Sequence, residues 1–105
     1  YGQGTDDPAL TLGMEYEQGP AMTRDQAEAA KWYKVSADRG SELGARDLGQ
    51  MYAKGVGVER DYVAAYKLLN FAAAKEAPGA ADALNLLETQ MTPSQLATAQ
   101  ASASH

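Results

Sequence analysis

The sequence predicts an all-α fold of stacked antiparallel helix pairs, and three observations predict it. Alanine, the best helix former, supplies 21 of the 105 residues, while Phe and Trp occur once each. β-branched residues are too scarce for a sheet-based core. Shifting the chain by 36 residues lays 9–44 over 45–80 with ten identities, among them Leu12/Leu48, Gly13/Gly49, Tyr16/Tyr52, Asp25/Asp61 and Ala29/Ala65. Self-similarity at such a period marks a repeat architecture whose units bury little alone and gain stability by stacking.

On this register the chain divides into a first repeat over 8–40 and a second over 41–76. A degenerate third-repeat helix over 77–91, a capping helix over 92–101 and a frayed tail over 102–105 follow. Gly4 lies 36 residues before Gly40, so Tyr1–Gly4 reads as the end of a preceding repeat. The chain starts at Tyr1 rather than Met and is read as a processed or trimmed product.

Each unit reads as two helices. Asp6-Asp7 before Pro8 suits the start of the first helix better than a cation site, because Asp favours the positive end of the helix dipole and Pro fits near N1. Asp25 and Glu28 have the spacing of a capping box, Gly40 ends that helix and Ser41 caps the next. Ala45, Leu48, Gly49 and Tyr52 recur at i, i+3, i+4 and i+7, which places them on one buried face. Gly55 follows where a left-handed residue ends a helix, and Gly57 gives a second permissive position. Asp61 then caps a helix whose inner face includes Ala65, Leu68, Leu69 and Ala72. Thr92-Pro93-Ser94-Gln95 combines an N-cap, Pro at N1 and Gln at N3, starting a last helix over 93–101. Within the units, Gly13 and Gly49 let one helix lean against its partner at Ala29 and Ala65, and Tyr16, Tyr52, Trp32 and Leu68 fill the wider gaps. A helical Gly costs roughly 1 kcal/mol against Ala, so its recurrence in register implies tight packing there.

Several functions are disfavoured by composition. Nine Lys and Arg against fourteen Asp and Glu leave a net charge of −5, the wrong sign for phosphate neutralisation, so nucleic acid is not expected as a partner. With no Cys there are no disulfides, thiolate metal sites or thiol nucleophiles. No apolar run approaches the ~20 residues that span a bilayer, so no direct membrane insertion is expected. The single His, His105, is the last residue, where no preorganised catalytic geometry holds it. Glu15 and Glu17, two residues apart on a helix, do not face each other. Gly55-x-Gly57 lacks the strand-to-helix context and the further Gly of a nucleotide loop. No catalytic residue, cofactor or metal is expected.

The second unit resembles a Sel-one-like repeat, a relative of the tetratricopeptide repeat. The residues that carry the resemblance are Leu48-Gly49-x-x-Tyr52-x-x-Gly55-x-Gly57-Val58-x-x-Asp61-x-x-x-Ala65 and Ala72-Ala73. The first unit matches through Leu12-Gly13-x-x-Tyr16-x-x-Gly19, Asp25, Ala29, Trp32-Tyr33, Ala37 and Gly40. Residues 8–76 are covered, and 80–95 resembles the capping end of such arrays. Pro20-Ala21-Met22 replaces the usual Gly-x-Gly-Val linker, Leu68-Leu69 replaces Trp-Tyr, and Glu76 stands where Gly is usual. The resemblance implies a right-handed α-solenoid of antiparallel helix pairs, about two full repeats plus capping helices, whose first helices line a concave surface. It also implies an adaptor or scaffold role, as in family members that assemble other proteins in signalling, membrane-associated complexes and host contact. The sequence leaves the compartment open; bacterial members are often exported, and only that resemblance inclines the reading toward the periplasm or cell exterior.

On that surface the residues opposite the Leu48/Tyr52 stripe become the candidate site. They are Leu43, Arg46, Gln50, Ala53 and Lys54 in the second unit, and Asp7, Leu10, Met14, Glu17 and Gln18 in the first. The third helix adds Asp82, Leu86, Thr89 and Gln90. Apolar anchors with both charge signs suit a peptide or helix of another protein. An ordinary solvated face with a few covered apolar residues is the competing reading. Met14, Met22, Met51 and Met91 read as core gap-fillers before an adaptable surface, and Trp32, Tyr33, Tyr62 and Tyr66 as core before an aromatic patch. The main expectation is a non-enzymatic protein-binding module. The alternative is the C-terminal structural end of a longer array, which stabilises its neighbours or self-associates weakly through an apolar edge near Leu10 and Met14.

Overall fold

The computed structural model describes residues 8–18 and 25–103. Six helices follow in order: α1 (Pro8–Gln18), α2 (Gln26–Asp38), α3 (Glu42–Lys54), α4 (Tyr62–Ala74), α5 (Ala80–Gln90) and α6 (Pro93–Ala103), with no strand among the described residues. Tyr1–Gly4, Asp6-Asp7, Gly19, the Pro20-Ala21-Met22 linker and His105 lie outside them.

The helix starts follow from short polar side chains. Asp25 Oδ1 accepts from the Glu28 amide and Asp61 Oδ1 from the Ala64 amide, each at 3.1 Å. Ser41 Oγ accepts from the Gly44 amide at 3.2 Å. Before α6, Thr92 and Gln95 form a reciprocal capping box, with bonds of 3.1 and 2.9 Å. The backbone amides of the two capping Asp residues also tie each hairpin together: Asp25 donates to the Tyr16 carbonyl at 2.7 Å and Asp61 to that of Tyr52 at 3.0 Å. Both pairs are equivalent under the 36-residue shift, so the sequence repeat is a structural repeat.

The second helices end alike. The Gly40 amide donates to the Ala37 carbonyl and Ser41 to that of Ser36, the two bonds of a Schellman closure. Glu76 donates to Ala73 and Ala77 to Ala72 in the same pattern. This closure needs a left-handed residue at its turning point. Gly40 has φ of 90°, and Glu76, one repeat later, has φ of 63° despite its Cβ. Glu76→Gly is therefore expected to raise stability by about 1 kcal/mol, read as a higher urea midpoint at unchanged slope.

Packing follows the small residues. A Cβ added at Gly13 would stand 2.7 Å from the Tyr33 ring, and one at Gly49 would stand 2.9 Å from Leu69 Cγ. Tyr33 and Leu69 are themselves 36 residues apart, so the same close approach recurs with a ring in one unit and a branched chain in the next. Ala29 and Ala65 are fully buried beside them. One core joins Leu10, Tyr33, Leu48 and Met51; another joins Tyr66, Leu69, Leu87 and Met91, with Tyr52 packed against both. Trp32 is only half-buried, and Tyr33 beside it is the residue that fills the core.

Through α5 each helix packs chiefly on its neighbours in sequence, while α6 lies back against α4. That helix continues to Ala103 rather than ending at 101, because Ala103 packs into the α4 core and holds the last turn. The tail expected to fray from 102 is thus helical at Ser102 and Ala103.

Candidate functional site

The first helices of the units, α1, α3 and α5, share one face crossed by rows of register-equivalent residues. Leu10, Arg46 and Asp82 form one row, Met14, Gln50 and Leu86 a second, and Gln18, Lys54 and Gln90 a third. All nine line one of two hollows. The first, of about 550 Å³, lies between α1 and α3; the second, of about 570 Å³, lies between α3 and α5 with the start of α4 as its edge. α3 serves both, through Leu43, Arg46 and Asp47 on one side and Gln50, Ala53 and Lys54 on the other.

Hollow one has an apolar floor and an acidic rim. Leu10, expected as an exposed anchor, is only 2% exposed: it inserts into the core with Leu48 and Met51, and forms the floor instead. The apolar edge expected near Leu10 and Met14 is thereby reduced to Met14, which is 44% exposed. Leu43 is half-buried against the core. Glu17, another expected site residue, does not line the hollow: its carboxylate accepts the Tyr33 hydroxyl at 2.5 Å. Burial first, and donation to Glu17 second, hold that phenol protonated far above its ordinary range.

Arg46 is engaged as well. Its Nε donates to Asp47 Oδ1 at 3.0 Å and its Nη1 to the Pro78 carbonyl at 2.9 Å, so it ties α3 to the turn before α5. Burial raises the Asp47 carboxyl above the usual range, opposed by the Arg46 pairing and assisted by the negative charge of Glu17. The folded chain therefore binds this proton more tightly than the unfolded chain. The stabilisation from neutral Asp47 is full below the unfolded pKa near 3.8 and is lost as pH rises through the folded value. The melting temperature of the native chain relative to Asp47→Asn is expected to rise on acidification from neutrality, in a series of thermal melts. A constant difference across that range would contradict the assignment.

Hollow two carries the larger exposed apolar group, Leu86, at 62% exposure. Lys54 and Asp82 are exposed at its walls, and Gln50 is half-buried. Arg60 and Tyr62 complete the edge, with the guanidinium 5.5 Å from the ring centroid. Thr89 is not part of the lining; its hydroxyl donates to the Leu86 carbonyl at 2.6 Å. Asp7 lies outside the described residues.

Sequence reasoning did not select Thr11, Glu15, Asp47, Arg60 or Tyr62. A signal for part of this set existed: Thr11, Asp47 and Ala83 are one further register row, and all three line a hollow. Arg60 recurs with Arg24 in the repeat, but which helix edge its loop reaches is a tertiary fact. Met51 and Met91 are core residues, Met22 lies outside the described residues, and Tyr33 and Tyr66 are buried. Among the described residues no three potential metal ligands converge, and no helix is long and apolar enough to cross a membrane.

The Sel1 repeat family model matches residues 11–41 and 43–76. Among curated proteins none matches this chain. Two of the similar solved structures are informative. One is c5321, a protective antigen of uropathogenic Escherichia coli strains displaying an SLR fold, with TM-score 0.82 and 30% identity over 90% of this chain and 21% of that one. The other is a Sel1 repeat protein from Oxalobacter formigenes, with TM-score 0.70 and 25% identity over 79% of this chain and 34% of that one. The chain thus spans about a fifth and a third of the lengths of these two relatives. Two adjacent matches cover more than half of its residues, and they coincide with the two helix pairs that share the caps, closures and Gly contacts described above. The chain belongs to the Sel1 repeat family.

Proposed function

We propose that this chain is a non-enzymatic protein-binding module whose α1/α3/α5 face receives a peptide or helix of another protein. Sel1 repeats are generally protein–protein interaction modules, and the finer assignment of the face is inferred from this chain's own residues. The observation that carries it is that three register rows, read across the first helices, line two neighbouring hollows. Apolar groups at the floor, with exposed Met14 and Leu86 and charges at the rim, have the composition of a peptide-binding surface. By contrast the outward side of α2 carries solvated pairs, Lys31–Glu28 at 3.5 Å and Lys34–Asp38 at 3.2 Å, of the kind that contribute little.

A photocrosslinking side chain introduced singly at Met14, Gln50 or Leu86 tests the reading in cells, with Lys34 and Lys67 as outward controls. Adducts of one common mass from the first three positions, and none from the controls, are expected. Adducts arising only from the controls would reject the face.

A second reading is favoured by α6. Because α6 lies against α4 rather than pairing with α5, it closes the stack, as the end of an array would. In that reading the chain stabilises neighbouring repeats or self-associates. Light scattering tests the latter, and a concentration-independent monomer mass would reject it.

A further inference from the structure

We propose that the second hollow receives acidic side chains, so that the docked partner is an extended peptide with an apolar residue and, three to five residues away, Asp or Glu. This inference rests on the binding-face reading above and adds the chemistry of the occupant. The chain as a whole is acidic, at −5, and three cations elsewhere are already paired: Lys31 with Glu28, Lys34 with Asp38 and Arg46 with Asp47, while Lys67 and Lys75 line neither hollow. Lys54 and Arg60 line hollow two with no carboxylate in ion-pair range among the described residues. Tyr62 lies under the Arg60 guanidinium and restricts its excursions. Asp82 on the facing wall offsets one of the two charges, leaving the lining at net +1 (Lys54 and Arg60 against Asp82).

Hollow one has the opposite preference. Its cation is committed to Asp47 and to the Pro78 carbonyl, and Glu15 adds negative charge at the rim. A peptide carboxylate is repelled there, whereas the Leu10, Met14 and Leu43 surface accepts an apolar side chain. The two hollows therefore differ in what they take, and an anchor in one with a carboxylate in the other gives the bound segment a direction. Along α3 the stretches facing the two hollows, 43–47 and 50–54, are centred about 10 Å apart at the helical rise of ~1.5 Å per residue. An extended chain at roughly 3.3 Å per residue crosses that distance in three residues, and in four or five with the sideways step between helices.

The test uses the full chain and short, terminally blocked peptides. One carries Leu followed after three Ser/Gly residues by Asp-Glu, a second has the reverse order, and matched analogues carry Lys-Lys for Asp-Glu or Ala for Leu. Amide shifts in ¹⁵N-labelled protein report both site and affinity. In one of the two orders, the Leu/Asp-Glu peptide is expected to bind at least about threefold more tightly than its Lys-Lys analogue. Shifts are expected at Lys54, Arg60 and Asp82, with a preference that fades as salt rises from roughly 0.05 to 0.5 M. Lys54→Glu combined with Arg60→Glu, both at exposed positions, is expected to reverse the ranking while shifts around Met14 persist.

Equal binding of the acidic and basic peptides at this face would overturn the charge inference and leave the binding face standing. So would shifts confined to hollow one. Shifts only on the outward faces of α2 and α4 would reject the face itself, and with it this inference. Inorganic phosphate matching the acidic peptide at the same amides would make hollow two a general anion site and overturn the peptide assignment, as would the absence of any shift at millimolar peptide.

Discussion

Gly57→Ala is expected to lower stability by about 2–4 kcal/mol, through two causes acting together. At φ of 77° the residue is left-handed, where a Cβ is strained. The added Cβ would also run into the Gln26 carbonyl oxygen, and it would stand 2.7 Å from the Gln26 carbonyl carbon and 2.8 Å from Met51 Cε. Met51 is flexible and can yield, but Gln26 opens α2 and its backbone is held by the capped first turn. The loop of the second unit thus presses on the helix start of the first, and Gly57 sets how closely they seat. Gly40→Ala separates the causes: φ is 90° there, yet nothing lies within 4 Å of the added Cβ, so only the conformational cost of about 1 kcal/mol is expected. Urea midpoints of both variants give the comparison, and equal losses would mean that the Gln26 contact gives way freely.

The junction between α2 and α3 gives the second large effect. Ser36 is fully buried against Gly44, where an added Cβ would stand 2.6 Å from Ser36 Oγ, 2.7 Å from its Cβ and 3.1 Å from the Ala37 amide nitrogen. One repeat later the equivalent pair is Ala72 and Ala80, both fully buried in one cluster. The same junction is therefore built in two ways, with one extra atom on one helix matched by one fewer on the other. Gly44→Ala gains about 1 kcal/mol of helix propensity but overpacks this contact, and a net loss of about 2 kcal/mol is expected. Adding Ser36→Ala recreates the chemistry of the later pair and is expected to recover about 1 kcal/mol of that loss, which a double-mutant cycle in urea measures. Strict additivity would show that the two residues do not share the contact. Because α3 lines both hollows, a shift of α3 at this junction also changes the width of hollow one, and peptide binding provides a second readout.

These contacts mark how far the sequence was legible. Helix existence, caps and closures are local: Asp25, Ser41, Asp61 and the Thr92/Gln95 box act on amides three residues away, so their spacing alone announces them. The inner stripe of α3 and the helical glycines Gly13 and Gly49 were legible for a related reason, since a 3.6-residue period and a 36-residue register together assign a face. The outer stripe was legible as a stripe, and most of its residues line the hollows.

What each of those residues does was not legible, and Leu10, Glu17 and Arg46 illustrate why. All three lie on the expected face, yet Leu10 is core, Glu17 holds the Tyr33 hydroxyl, and Arg46 is tied to Asp47 and Pro78. Apart from Asp47, the chain neighbour of Arg46, the partners named are 16 to 41 residues away, at distances that depend on how closely the helices approach. Glu76 shows the converse, a backbone conformation imposed by the helix closure on a residue whose identity argues against it. The sequence by itself determined that the chain is an all-α helical repeat, with its register, helix starts and buried stripes, because those rest on interactions within a few residues and on periodicity. Only the tertiary structure decided which face residues are floor, brace or free rim, and that Lys54 and Arg60 meet at one hollow, because burial and charge pairing are set by packing between helices.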